Sequence, residues 1–337
     1  MGKNIVLSGY FGFKNFGDET ILDVLLSKIE IFQNSITVIT SNPKYTNEIH
    51  PNVKCVKTFD IKSIINIISN SDILISGGGS LLQDVTSLKS LLYYLFIIFL
   101  GVIFGKKVII FAQGIGPINS KIGQILCKNI LKYCSYICVR DEKSLELLKS
   151  WNINADLVCD PIFSLEVEQI QNKENIVGVQ IRDFCSMTDE FINKLAQKVA
   201  QEFSDKKIEI YSFQDDIDKN VCLKFQKAIN AINSNINTEV FTNLSNSQII
   251  KLLAKNEYLI GMRFHSIIIG LLAKSKILSI NYDIKVEKLS KEFNLPMIEL
   301  NGDFGDNFEQ LKTQNLPDTT SKVFDWDKFL QLNSLKN

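Results

Sequence analysis

The sequence predicts an α/β protein built from two doubly wound, parallel-sheet domains that face each other across a cleft. Three observations predict it. Short β-branched runs alternate with amphipathic stretches, the pattern of parallel strands joined by crossover helices. That rhythm pauses over residues 161–173 and then starts again. The 337 residues, 45% of them hydrophobic, suffice for two cores at about 150 residues per domain.

In the first domain, 1–160, the β-branched runs place strands over 4–8, 36–40, 53–56, 73–76, 108–112 and 137–139. The amphipathic stretches between them place helices over 20–32, 62–69, 87–104, 121–133 and 142–150. The second domain, 161–303, has strands over 176–180, 208–212, 239–241, 258–260 and 277–281. Its helices fall over 190–203, 219–232, 247–254, 266–273 and 286–293. The remaining residues, 304–337, carry Phe308, Leu311, Phe324, Trp326, Phe329 and Leu330, apolar surface for a helical tail that closes the fold.

Lys and Arg total 37 and so do Asp and Glu, giving a formal net charge of zero. That removes the positive field of sequence-independent nucleic-acid binding, so any anionic partner must be met by a local site. The cysteines, Cys55, Cys127, Cys134, Cys138, Cys159, Cys185 and Cys222, are odd in number, lie mostly in apolar runs and form no C-x-x-C pair. They read as buried thiols in a reducing cytoplasm, with no disulfide framework and no metal site. The apolar run after Asn4 is too short for the core of a signal peptide. Residues 91–105, LLYYLFIIFLGVIFG, are uncharged throughout. They fall short of the roughly 20 residues of a spanning helix. The stretch reads as a helix buried against a sheet, or as a face resting on a membrane with Tyr93, Tyr94, Phe96 and Phe99 near the lipid.

Ligands of open parallel sheets bind beyond the carboxyl ends of the strands, and each motif of interest lies at such an end. GYFGFKNFGDE at 9–19 offers three glycines for a tight turn and Asp18 at the start of a helix, either as an N-cap or as a base. It lacks G-x-G-x-x-G spacing, which argues against a nicotinamide cofactor. Gly77, Gly78, Gly79 and Ser80 end the next strand, and their amides with a following helix would cradle an anion or a sugar. Gln113 and Gly114 open a second glycine-rich strand end. Arg140 either pairs with Asp141 or Glu142 or aims at a phosphate or carboxylate. Arg182 occupies a similar strand end in the second domain, a weak signal by itself. Sharper is GMRFHS at 261–266, which puts Arg263, His265 and Ser266 between a strand and an apolar helix, with Lys285 following the next strand.

Together these residues resemble the polysaccharide pyruvyl transferases. The resemblance runs from about 4 to about 300 through GYFGFKNFGDE, SGGGSLLQD at 76–84, GKKVIIFAQGIGP at 105–117, VRDEKS at 139–144, MRFHSIIIGL at 262–271 and NYDIKV at 281–286. In the last of these the family carries proline where this chain has Ile284, with Lys285 in place. The resemblance implies a GT-B-like pair of Rossmann-like domains, the first on the acceptor side and the second on the donor side, with a C-terminal helix crossing back. It implies transfer of the pyruvyl group of phosphoenolpyruvate to a sugar of a lipid-linked cell-wall or exopolysaccharide precursor, forming a cyclic ketal and releasing phosphate. It also implies that Arg140, His265 and Lys285 act on the donor and that Asp18 serves the acceptor.

The chemistry of the substrate supports that allocation. Phosphoenolpyruvate carries a phosphate and a carboxylate, so its site needs fixed cations and a proton donor near the vinyl carbon. Arg140, Arg263 and Lys285, with Ser266 beside them, supply the binding groups; His265 supplies the acid and Asp18 the base. The scheme needs no cofactor and no metal. The expected location is the cytoplasm, with peripheral contact at the inner face of the membrane where a lipid-linked acceptor would be met. A GT-B glycosyltransferase with a nucleotide-sugar donor would instead want an acid for the ribose where 261–270 offers Arg, His and Ser. A saccharide-binding module would want aromatic platforms, and the cations and histidine would be superfluous.

Overall fold

The N-terminal apolar run forms β1 (Asn4–Ser8), an interior strand of a seven-stranded parallel sheet in the computed structural model, which describes residues 2–184 and 187–335. Cys185 lies outside the described residues. The sheet continues through β2 (Ser35–Thr40), β3 (Lys54–Lys57), β4 (Ile73–Gly77), β5 (Lys107–Gln113), β6 (Tyr136–Val139) and β7 (Asp156–Leu157), in the order β3-β2-β1-β4-β5-β6-β7. The order reverses direction between β1 and β4, the position where doubly wound sheets open a crevice.

The connecting helices are α1 (Phe16–Ile29), α2 (Pro43–Ile49), α3 (Ile61–Ser69), α4 (Leu88–Ile103), α5 (Lys121–Leu131) and α6 (Glu142–Ser150). Helix α1 starts four residues before the apolar pattern suggests, because the Asn15 side chain accepts hydrogen bonds from the Gly17 and Asp18 N–H groups and caps it. Helix α2 was not expected from the sequence. It has no apolar period and depends on Asn42 as cap and Pro43 in the first turn. On one face of the sheet, Val6, Leu74, Val108 and Ile110 pack under Ile64 and Ile68 of α3 and Leu91, Leu95 and Ile98 of α4. Tyr94 belongs to that core too, at 6% exposure, and is not at the surface.

The second sheet has six parallel strands, β8 (Glu174–Gln180), β9 (Lys207–Tyr211), β10 (Thr238–Phe241), β11 (Asn256–Gly261), β12 (Lys276–Asn281) and β13 (Met297–Glu299). Their order is β10-β9-β8-β11-β12-β13. Helices α7 (Asp189–Glu202), α8 (Asp215–Ile232), α9 (Asn246–Lys255), α10 (Phe264–Leu272), α11 (Ile284–Glu292) and α12 (Asn307–Thr313) belong to this unit. The two units comprise Met1–Ser164 with Lys322–Asn337, and Leu165–Ser321.

The stretch from 304 onward is therefore not one tail. Helix α12 stays with the second sheet, whereas α13 (Trp326–Leu332) returns to the first unit. There Phe324, Trp326 and Phe329 surround the ring of Phe111 on β5, with centroids 5.4, 5.6 and 4.9 Å away. The Trp326 Nε1–H donates to Ser164 Oγ at 2.9 Å, and Lys107 Nζ donates to the Leu332 carbonyl at 2.9 Å. Among the cysteines, Cys127, Cys138 and Cys222 are buried, and Cys55, Cys134 and Cys159 are half-buried.

Candidate active site

In the first unit β1, β4, β5 and β6 are consecutive neighbours, so the loops after them start side by side. Asp18 lies in the first turn of α1 and is half-buried. It sits against the glycine run: Gly79 has φ +69°, and a Cβ built there would lie 2.3 Å from Asp18 Oδ1. Only glycine permits both that backbone and that approach.

Glu19, the next residue, has a different task. It is 3% exposed. Its Oε1 accepts the N–H of Gly12 at 2.8 Å and of Lys14 at 3.1 Å, which shapes the loop after β1. Burial pushes its carboxyl up to about 8, against the opposing effect of those two amides. Both donors reach the same oxygen, which leaves Oε2 to carry a proton.

The glycine run does not present the expected row of amides with a helix behind it. Gly78 N–H donates to the Phe111 carbonyl and Gly114 N–H to the Gly79 carbonyl, both at 2.9 Å. Helix α4 begins only at Leu88, because Leu81 and Leu82 are buried and Leu82 bridges to Ile115. What the glycines permit is close stacking of two loops: a Cβ on Gly114 would stand 2.8 Å from Ser80 Oγ. Gln113 is fully buried beneath them, its Nε2 donating to the Ser76 carbonyl at 3.0 Å and to Ser76 Oγ at 2.8 Å. It braces the loops and does not line a surface.

Arg140 is paired with a carboxylate to which the local sequence does not point. Its Nη1 pairs with Asp160 at 2.5 Å, with the two side chains 6% and 3% exposed, and its Nη2 donates to Ser80 Oγ at 3.3 Å. Asp141 instead caps α6 through the Ser144 N–H.

In the second unit Gln180 pairs in register with Gly261 on the neighbouring strand, so Arg182 and Arg263 leave their strands at equivalent points. The two arginines then diverge. Arg263 Nε and Nη2 donate to the two oxygens of Asp218 on α8 at 2.8 and 2.7 Å. The Asp218 Oδ2 also accepts from the N–H groups of Phe213 and Gln214. Arg182 forms no close ion pair among the described residues, although its charge also favours the ionised form of the Asp218 carboxylate. Its guanidinium lies over the rings of Tyr282 and Phe184 at 5.2 and 5.7 Å, Nη1 donates to Tyr282 Oη at 3.4 Å, and the buried Nε–H meets no acceptor among the described residues.

His265 occupies the first turn of α10, half-buried and edge-on to the Phe264 ring at 5.1 Å. Ser266, grouped with the donor residues on sequence, is fully buried. Its hydroxyl donates to the Arg263 carbonyl at 2.6 Å and to Gln180 Oε1 at 3.2 Å, and Gln180 Oε1 also accepts the Arg263 N–H at 2.7 Å. Ser266 and Gln180 therefore hold the turn that carries Arg263 and His265. Lys285 lies in the first turn of α11, beyond β12. A recess of about 340 Å³ near it is lined by Tyr282 and by the carboxylates of Asp283, Glu287 and Glu299, which would keep an anionic donor out of the recess itself, whose lining does not include Lys285.

Sequence reasoning missed Asp160 and Asp218 and underweighted Arg182. A signal was available for the arginines: they number only three, and each follows a strand end.

Two doubly wound parallel-sheet units with their motif loops at the carboxyl ends of the strands define the GT-B class of α/β enzyme folds. The UDP-GlcNAc 2-epimerase from Neisseria meningitidis bound to UDP-GlcNAc is similar, with a TM-score of 0.63 at 10% identity over 99% of this chain and 100% of that one. So are the UDP-GlcNAc 2-epimerase from Methanocaldococcus jannaschii, at TM-score 0.62, 12% identity and 99% and 95% coverage, and a glycosyltransferase from Rickettsia africae ESF-5, at 0.62, 12% and 99% and 94%. Identities this low establish the fold alone. No curated protein matches the chain. The family model for polysaccharide pyruvyl transferase matches residues 15–284, and the chain belongs to that family.

Proposed function

We propose that this pyruvyl transferase takes its pyruvyl group from phosphoenolpyruvate and places it on a hydroxyl pair of a lipid-linked saccharide, in the cytoplasm and without a cofactor. The observation that carries the donor assignment is Arg182, a guanidinium with no close ion pair and an unbonded Nε–H among the described residues, at the strand end next to Arg263 and His265. Two anionic groups on one small donor call for such a cation, and Lys285 is the second. Arg263, neutralised by Asp218, acts as a positioning residue for the turn that bears His265.

In this scheme protonated His265 gives its proton to the methylene carbon of phosphoenolpyruvate. A sugar hydroxyl attacks the adjacent carbon and Asp18 takes the hydroxyl proton. The bond from that carbon to the phosphate oxygen then breaks and phosphate leaves with the electron pair. The second hydroxyl attacks the same carbon, closes the ring and gives its proton to His265, restoring the acid, while the proton held by Asp18 passes to the departing phosphate.

Incubation with phosphoenolpyruvate and candidate lipid-linked acceptors should release phosphate only when an acceptor is present, and mass spectrometry should find the ketal on the sugar. Release of a nucleoside diphosphate from a nucleotide sugar, with phosphoenolpyruvate untouched, would replace this reading with that of a glycosyltransferase.

A further inference from the structure

We infer that the face of the first unit formed by α3, α4 and α5 docks on an anionic lipid bilayer. The inference stands on that unit alone and does not depend on the identity of the donor. Among the described residues no helix is long and apolar enough to cross a membrane, so the contact is peripheral. Leu88, Leu92, Phe99 and Ile103 of α4 are exposed, with half-buried Phe96 between them. At 3.6 residues per turn these five positions fall within a sector of about 80° and form a stripe about 22 Å long.

Neighbouring elements extend the stripe. Helix α5 packs on α4 and adds Ile122 and Ile125, at 64% and 58% exposure. Phe59, which precedes α3, is 72% exposed and rests against Tyr93 of α4 at 4.8 Å. Scattered apolar side chains are ordinary on a surface, whereas a continuous patch on adjoining helices marks a contact surface.

Charge identifies the occupant. The three helices carry Lys62, Lys89, Lys121 and Lys128 and not one Asp or Glu, in a chain whose acids and bases are equal in number. All four lysines are exposed, and none enters an ion pair among the described residues. The acids nearest in sequence are engaged: Asp60 caps α3, and Asp84 accepts the N–H groups of Asn119 and Ser120. An apolar stripe fringed by four lysines against two carboxylates held by backbone N–H groups, Asp60 and Asp84, has a net positive border that matches acyl chains beneath anionic headgroups. A second copy of the chain would bring lysines against lysines across a two-fold interface.

Co-sedimentation of the full chain with vesicles tests this. Wild type should bind phosphatidylglycerol–phosphatidylcholine vesicles and not pure phosphatidylcholine, with binding weakened by salt. Phe99→Ser/Ile103→Ser and Lys121→Glu/Lys128→Glu should each lower the partition coefficient about tenfold or more. A control pair in the second unit, Lys219→Glu/Lys251→Glu, should keep it. If the apolar pair unfolds by circular dichroism, the lysine pair carries the test. Absence of wild-type binding, equal binding to neutral vesicles, or undiminished binding by the lysine pair overturns the proposal. So does a dimer in sedimentation velocity that Lys121→Glu/Lys128→Glu does not dissociate and Phe99→Ser does, because the face would then belong to a second copy.

Discussion

Arg263 and Asp218 form a bidentate pair in which the carboxylate is fully buried and the arginine side chain is 11% exposed. Such a pair is costly to break, because the surviving charge is left without a partner in a dry site. Asp218→Ala should therefore destabilise the protein by about 3–5 kcal/mol, measured by urea unfolding. A loss below about 1 kcal/mol, the value of an exposed pair, would show that the bridge opens to water.

Arg182 should behave differently. Arg182 meets Asp218 only at longer range and rests on Tyr282 and Phe184, so Arg182→Ala should cost less stability than Asp218→Ala and weaken phosphoenolpyruvate binding by about 1.5–3 kcal/mol. Calorimetric titration reads the affinity directly. Unaltered donor affinity would remove Arg182 from the site.

His265 is the acid of the proposed scheme. His265→Ala should cut turnover by about 10²-fold or more with the melting temperature preserved. Near-normal turnover would leave the residue as part of the first turn of α10 only.

At Gly79 the φ of +69° and the closeness of Asp18 act together. Gly79→Ala should cost about 1–2 kcal/mol of stability for the left-handed backbone and push Asp18 aside. In the proposed reaction the Michaelis constant for the acceptor should rise more than that for phosphoenolpyruvate. An equal rise in both would separate Asp18 from the acceptor.

Glu19 makes stability depend on pH. Its carboxyl is raised from an ordinary 4.5 to about 8 in the fold. Below 4.5 both states are protonated and its contribution is complete; between 4.5 and 8 the unfolded chain ionises while the folded one does not, so stability falls as pH rises. The slope approaches about 1.4 kcal/mol per pH unit. Glu19→Gln keeps an acceptor for Gly12 and Lys14 and should flatten that slope. Urea unfolding of both proteins at several pH values between 5 and 8 decides it, and parallel curves would place the proton elsewhere.

The long elements were legible because their apolar periods are strong. Helix α6 begins and ends where the periodicity says, and the parallel order followed from the alternation of strands and helices. Elements without a period escaped: α2 rests on a cap and a proline, β7 has two residues and β13 three. At the site, Asp18, Arg140 and His265 stood out because their residue types are unusual at strand ends. Asp160 and Asp218 did not, because a buried counter-ion contributed by a distant segment has no local signature. Ser266 and Gln113 misled for the converse reason: polar residues inside a motif can be there to satisfy the backbone of the turn.

The first unit holds both ends of the described chain, so its last core side chains leave the ribosome after the whole second unit. Until Phe324, Trp326 and Phe329 arrive, one side of Phe111 has no cover, although its sheet was synthesised long before. The nascent protein thus passes through an interval in which its later half can fold to completion while its earlier half cannot. Termination just after residue 321 would yield a finished second unit tethered to a sticky, unsealed first one, a product suited to recognition by chaperones and proteases.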